Sequence, residues 1–231
     1  MKPRVAFVAA LALLSVLAAA CSSNDLDIDT SDVDVDELLV SAADRMDEVN
    51  SFRFDLEHEN GTATIVRGLQ IVSAEGDVEG ADRMQLKVDA QAGPLNAEIE
   101  IIVLPDEGWI TNLLTGRWER ETIDVASFFD PAAGVTGLMR SIENGEVTGA
   151  QKIGGFDAYL VEAEVSSETL TLFGDPRDGE PIELRAWIGI DDAVVHRIEA
   201  VGGIVSGEPD DLIRCLTFTD FGQTFDIKAP R

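Results

Sequence analysis

Cys21 is the residue whose type and setting most plainly invite chemistry. It follows Ala18-Ala19-Ala20 directly, after an apolar run from Val5 to Leu17 broken only by Ser15, with Lys2 and Arg4 ahead of it. A run of that length ending in small residues has the form of a secretory signal, too short to span a bilayer. A thiol placed at the cleavage point is the substrate of lipidation: diacylglyceryl transfer to sulfur, cleavage before Cys21, and a lipid-modified N-terminus. Two or more acyl chains give stable anchoring where one would be marginal. Residues 1–20 are therefore expected to be a lipoprotein signal peptide. Residues 21–231 are expected on the extracytoplasmic face of a cell membrane, held by the diacylglyceryl thiol of Cys21.

Other reactive side chains are few. The chain has only His58 and His196, both in strand-like runs and neither in a metal-ligand spacing or beside a nucleophile motif. No Gly-x-Ser-x-Gly, phosphate-cradling loop or zinc signature occurs. The alternating Asp25, Asp27, Asp29 and Asp32, Asp34, Asp36 could ligate a cation, but the turn glycine and the later bidentate glutamate of a calcium loop are out of register. Cys215 lies in the strand-like Ile213–Phe218 run and reads as a small buried hydrophobe. No enzyme, cofactor or metal is called for.

Seventeen Lys and Arg stand against 44 Asp and Glu, a net charge of −27. Such a surface repels phosphate backbones, which excludes nucleic acid as a partner. It also repels anionic headgroups, so the acyl anchor must hold the membrane without a polybasic helper. The 45% hydrophobic share is ample for a core.

The elements that must carry any site follow from periodicity. Residues 21–37 hold seven acidic and no basic residues, the composition of a solvated, extended tether. Leu38, Leu39, Ala42, Ala43, Met46 and Val49 fall on one helical face. After Asn50 the period becomes two: Phe52, Phe54 and Leu56, then Met84, Leu86 and Val88, then Ile99, Ile101 and Val103 after a Gly93-Pro94 turn. Similar runs cover Ile182–Ile190, Val194–Val201 and Leu212–Phe221. These are antiparallel strands with one wet and one apolar face. Between them, Ile123–Asn144 is helix-like in pieces, with Asp130-Pro131 opening one segment and Leu138, Met139 and Ile142 marking another. Ser166–Phe173 reads as a further short helix. The expectation is one α+β domain over residues 38–231, with about nine to eleven strands curling around a few helices. The large apolar face is either a filled core or a trough with a gap for apolar ligands.

Several segments together resemble the LppX/LprAFG lipoproteins of mycobacterial-type envelopes. They are LLVSAADRMDEVNSFRFDL from Leu38, the Trp109-Ile110-Thr111 strand with the Gly116-Arg117-Trp118 turn, and the Phe129-Asp130-Pro131 entry to a Gly137-Leu138 helix. Lys152–Leu160 with its glycine turn and a closing Leu216–Pro230 hairpin complete the set. The resemblance implies a curved antiparallel half-barrel, akin to the LolA/LolB carriers, whose concave face and helices enclose a hydrophobic cavity. It implies binding of acylated lipids or glycolipids and their carriage across or within the envelope, with a lipid transporter as a further partner. The lining it implies is apolar: Phe52, Phe54, Met84, Leu86, Val88, Ile99 and Ile101 from the strands, with Leu138 and Ile142 from the central helix. An adaptor lipoprotein with the same fold and a filled core is the alternative.

Overall fold

The structure is a computed structural model that describes residues 25–66, 69–121, 134–170 and 179–231. The signal segment, Cys21, the Phe129-Asp130-Pro131 entry and residues 171–173 at the end of the expected short helix lie outside the described residues.

The chain begins with helix α1 (Val35–Asp47), which starts three residues earlier than the apolar spacing predicts. Asp34 explains the difference. Its carboxylate accepts the backbone N–H groups of Asp36 and Glu37 at 3.0 and 3.1 Å, which satisfies two of the orphan donors of the first turn. Asp36 and Glu37 then sit favourably at the positive end of the helix dipole. Three acids assigned by composition to a tether thus belong to a helix start.

Within the expected tether, Asp25 and Leu26 are also tied to the sheet. Asp25 forms a bridge with Gln151, the Leu26 N–H donates to the Ala150 carbonyl at 2.8 Å, and Gln151 Nε2 donates to Asp25 Oδ1 at 2.9 Å. The partner strand is a sheet edge, whose unpaired backbone groups capture a passing extended segment.

Among the described residues twelve strands follow, all paired antiparallel; the first seven are β1 (Ser51–Glu59), β2 (Ala63–Val66), β3 (Leu69–Glu79), β4 (Met84–Ala92), β5 (Leu95–Leu104), β6 (Glu107–Thr111) and β7 (Trp118–Arg120). Helix α2 (Val135–Ser141) separates these from β8 (Glu146–Ile153), β9 (Phe156–Ser166), β10 (Pro181–Gly189), β11 (Val195–Val201) and β12 (Ile213–Thr219). The spatial order is β7-β6-β5-β4-β3-β1-β12-β11-β10-β9-β8, with β2 beside β3. The edges β7 and β8 do not pair with each other, so the sheet is open. The described part of the expected short helix is a single 3-10 turn, Ser167–Thr169.

Register puts the apolar parities on one face. Phe54 lies opposite Phe218, Met84 opposite Val103, Leu86 opposite Ile101 and Val88 opposite Ile99. Against that face pack Leu39, Ala42, Ala43 and Met46 of α1 and Leu138 and Met139 of α2, in one continuous core. Bulges in the β3–β4, β8–β9 and β10–β11 ladders help the sheet curl. Gly76 permits one tight crossing: a Cβ there would lie 2.6 Å from the Gln85 carbonyl and 2.8 Å from the Phe54 ring.

The closing Leu216–Pro230 segment is a strand followed by a strap, not a hairpin. Asp220 and Gly222, at φ 53° and 71°, turn the chain off β12. Gly222 N–H then donates to the Ser51 carbonyl at 2.9 Å, and Ser51 Oγ to that of Gln223 at 2.7 Å. Ile227 is buried and its carbonyl accepts Arg83 at 2.9 Å. These bonds hold the strap without strand pairing.

Candidate functional site: an apolar cavity under the helix pair

A cavity of about 210 Å³ lies where the end of α1 and the start of α2 cross the inner face of β1, β3 and β12. Its apolar wall is Met46, Val49, Phe52, Val78, Val135 and Phe218; Asp47, Asn50, Thr136 and the Gly80-Ala81 turn stand at its rim. Phe52 and Phe218 contribute the aromatic floor. The wall exists because period-two strands deliver alternate side chains inward while α2, only seven residues long, covers a limited patch.

The roof is fastened electrostatically. Arg140 on α2 donates to Asp44 at 3.0 Å and to Asp47 at 2.7 Å, both on α1. Hydrogen bonds from Arg140, then from Thr136, hold the Asp47 carboxyl below the ordinary carboxylate range. Helix α2 has no side-chain cap at Gly134, so its first turn relies on packing and on the Thr136 hydrogen bond to Asp47, while Arg140 holds its last turn.

The structure brings the nine sequence-derived lining residues to the inner side of the sheet, onto α2 (Leu138) or to its C-cap (Ile142), but only Phe52 is part of this cavity's wall. Phe54, Met84, Val88, Ile99, Ile101, Leu138 and Ile142 are buried in packed core, and Leu86 is half-buried against it. Alternation identifies the inward face and says nothing of where the helices press on it. Val78 and Phe218 were missed as wall residues although both have inward parity. Their place beside Phe52 comes from the pairing of β1 with β3 and β12, a relation no local pattern contains.

A larger depression of about 620 Å³ lies on the outer face. It is walled by Arg53, Asp55, Asp77, Gln85, Lys87 and Glu100 together with Ile102, Trp118 and two of the sequence-derived residues, Leu86 and Ile101, with a 2.7 Å ion pair between Arg53 and Asp77. Burial, then the nearby Glu57 carboxylate, pushes the Asp55 carboxyl up. This side of the sheet mixes charged and apolar groups, and an acyl chain there would lie against the Arg53, Asp55, Asp77 and Lys87 charges.

The two histidines stand apart from the cavity wall. His58 Nδ1 lies 3.0 Å from the Val72 carbonyl, and its Nε2 is buried with no hydrogen-bond partner among the described residues. His196 stacks on Phe156 with ring centroids 4.3 Å apart, its Nε2 3.2 Å from Asp192 Oδ2. Cys215 is buried, and loss of solvation pushes its thiol pKa up. Among the described residues no three His, Cys, Asp or Glu side chains converge as a metal site, and no helix is long and apolar enough to cross a membrane.

Residues 34–223 match the family model of the LppX_LprAFG lipoproteins. The chain belongs to this family. The fold agrees across nearly the whole LppX/LprAFG domain. LprF from Mycobacterium bovis superposes with a TM-score of 0.69 at 14% identity, covering 85% of this chain and 96% of that one. LppX from Mycobacterium tuberculosis superposes with a TM-score of 0.61 at 16% identity, covering 84% and 98%. No curated protein matches the chain by sequence. The α+β half-barrel expected of LppX/LprAFG lipoproteins is thus the fold of this chain.

Proposed function

We propose that this LppX/LprAFG lipoprotein, attached to the extracytoplasmic face of a cell membrane through a diacylated Cys21, binds acyl chains of a lipid or glycolipid under its helix pair and carries them within the envelope. Carriage between membranes, with a lipid transporter as supplier, belongs to the same proposal. The observation that supports it is the largely apolar pocket walled by Met46, Val49, Phe52, Val78, Val135 and Phe218.

Acyl chains gain about 0.8 kcal/mol per methylene on leaving water, with no polar motif required. That agrees with a site whose wall is mainly apolar, with Asp47, Asn50 and Thr136 at its rim. The pocket of about 210 Å³ is smaller than a drug-sized ligand site, so it accommodates only part of an acyl chain. Loading a whole chain therefore requires α2 to lift from the sheet, and the Arg140 clasp opposes that movement. Burial of an acyl chain needs no proton transfer or nucleophile, so the protein acts by binding rather than by catalysis.

A second reading has a specific observation in its favour. Seven of the nine sequence-derived lining residues are packed core, as in an adaptor lipoprotein with a filled interior. Extracting the purified protein with organic solvent and identifying the extract by mass spectrometry separates the two. Stoichiometric lipid supports the carrier. No lipid, together with a melting temperature unmoved by added lipid, supports the adaptor.

A further inference from the structure

The most exposed large apolar side chains of the described residues sit on two hairpin tips and on α1. At the tips, Leu114 is 92% exposed, Leu95 65% and Leu113 50%. Leu95 opens β5 at the β4–β5 turn, and Leu113 and Leu114 occupy the β6–β7 turn. Because β6 is antiparallel to β5, with Ile110 opposite Ile101, it runs parallel to β4. Both turns therefore leave the sheet in the same direction from neighbouring strands.

The leucine pair is presented by a built turn. Asn112 Oδ1 accepts the N–H of Leu114 at 2.9 Å and of Thr115 at 3.1 Å, while the Asn112 carbonyl accepts Gly116 N–H at 2.8 Å. Asn112 Nδ2 donates to Glu119 at 2.8 Å, which ties the turn to β7. Exposure is thus a property of an ordered conformation.

Charge marks the same tips. In a chain of net charge −27, residues 90–97 and 108–118 hold no Asp or Glu, and 108–118 carry Arg117 beside Trp118. The nearest carboxylates are Asp89 and Glu98, opposite each other below the β4–β5 turn, and Glu119; Glu98 is paired with Lys87 at 2.9 Å and Glu119 accepts Asn112. An anionic headgroup layer repels the rest of this surface but not these tips, and a guanidinium and an indole next to exposed leucines suit its interface. A convex point with two leucines suits insertion between lipids better than docking on a flat protein face.

We propose that the β4–β5 and β6–β7 tips, led by Leu113 and Leu114, form a contact site for a lipid bilayer surface, separate from the acyl cavity. In an anchored carrier this would seat the domain on the bilayer with which it exchanges lipid, an assignment that rests on the function proposed above; the contact itself does not.

The test uses the chain from Ser22 onward, which is the expected mature protein without its acylated cysteine, and its circular dichroism is checked against each variant. Co-sedimentation with vesicles of equimolar phosphatidylethanolamine and phosphatidylglycerol is compared for the unsubstituted chain, Leu113→Asn/Leu114→Asn, and Val40→Asn, an exposed apolar position on α1. The expected result is binding that falls at least about tenfold in the tip variant and is unchanged in the α1 variant. Quenching of Trp fluorescence by brominated lipid is expected in the unsubstituted chain and lost with the leucines. Failure of the unsubstituted chain to bind overturns the proposal, as does equal binding by the tip variant. Concentration-dependent dimerisation abolished by the tip variant, without vesicle binding, assigns the tips to a second copy and also overturns it. The lipid extracted from the cavity is read separately, so this proposal and the carrier reading fail independently.

Discussion

Phe52 and Phe218 meet edge to face, ring centroids 5.6 Å apart and planes at 75°, although 166 positions separate them in the chain. The pair forms the floor of the cavity, and α1 and α2 form its roof. Two changes at this place should act oppositely. Phe218→Ala should enlarge the cavity and cost about 3–5 kcal/mol of stability, measured by urea unfolding. Val135→Phe should fill it, reducing co-purified lipid to background while the melting temperature stays or rises. Undiminished lipid in Val135→Phe would place the ligand elsewhere.

Arg140 joins the two helices through Asp44 and Asp47. All three side chains are solvent-accessible, so Arg140→Ala should leave global stability little changed. It should nevertheless speed release of a fluorescent lipid, because the clasp resists lifting of α2. The folded Asp47 carboxyl lies below its ordinary value, so its contribution is complete above the unfolded pKa near 4 and is lost as pH falls through the folded value. Lipid release should accelerate in that acid range in the unsubstituted protein. In Arg140→Ala it should already be fast at neutral pH, and stopped-flow fluorescence checks both.

Arg214 and Glu208 form an ion pair with side-chain exposures of 0% and 1%. Arg214 also donates to the Gly202 carbonyl at 3.1 Å, and Glu208 accepts Val205 N–H at 2.8 Å, so the pair holds the β11–β12 connection onto the sheet. Glu208→Gln leaves a buried guanidinium short of its counter-charge and should cost about 3–5 kcal/mol in urea unfolding. Arg214→Met combined with Glu208→Leu should recover much of that loss. If both variants lose the same amount, the pair's charge is not what matters.

Burial holds His58 toward its neutral form, with the Val72 carbonyl opposing and Arg214 adding to the shift. Its folded pKa is therefore below its unfolded value near 6.5, and the unfolded chain binds the proton first. Stability from this group is complete above about pH 6.5 and declines as pH drops, by at most about 1.4 kcal/mol per pH unit. Substituting His58→Gln should flatten that part of the stability curve in chemical denaturation. An unchanged slope would locate the pH dependence in other groups.

Helix α1 and the long strands were legible because their signals are local. Leu39, Ala42, Ala43 and Met46 repeat at helical spacing, and Phe52, Phe54 and Leu56 alternate, whatever the rest of the chain does. The start of α1 was misplaced because acidic composition suggested a tether, whereas Asp34 acts through one side-chain cap. Docking of Asp25 at Gln151 was illegible, since it depends on β8 being an edge.

The site divides along the same line. Sequence alone determined the apolar leader that ends in Ala18-Ala19-Ala20-Cys21, the acidity, and the alternating pattern of residues such as Phe52, Met84 and Ile101, because each is set by neighbours along the chain. Tertiary structure decided that Met84 and Ile101 are packed core while Phe52, Val78, Val135 and Phe218 surround a space. Period two says which way a side chain points. Whether it meets a helix or a gap depends on which distant strands pair and where α1 and α2 come to rest, and those are sums of long-range contacts that no local repeat encodes.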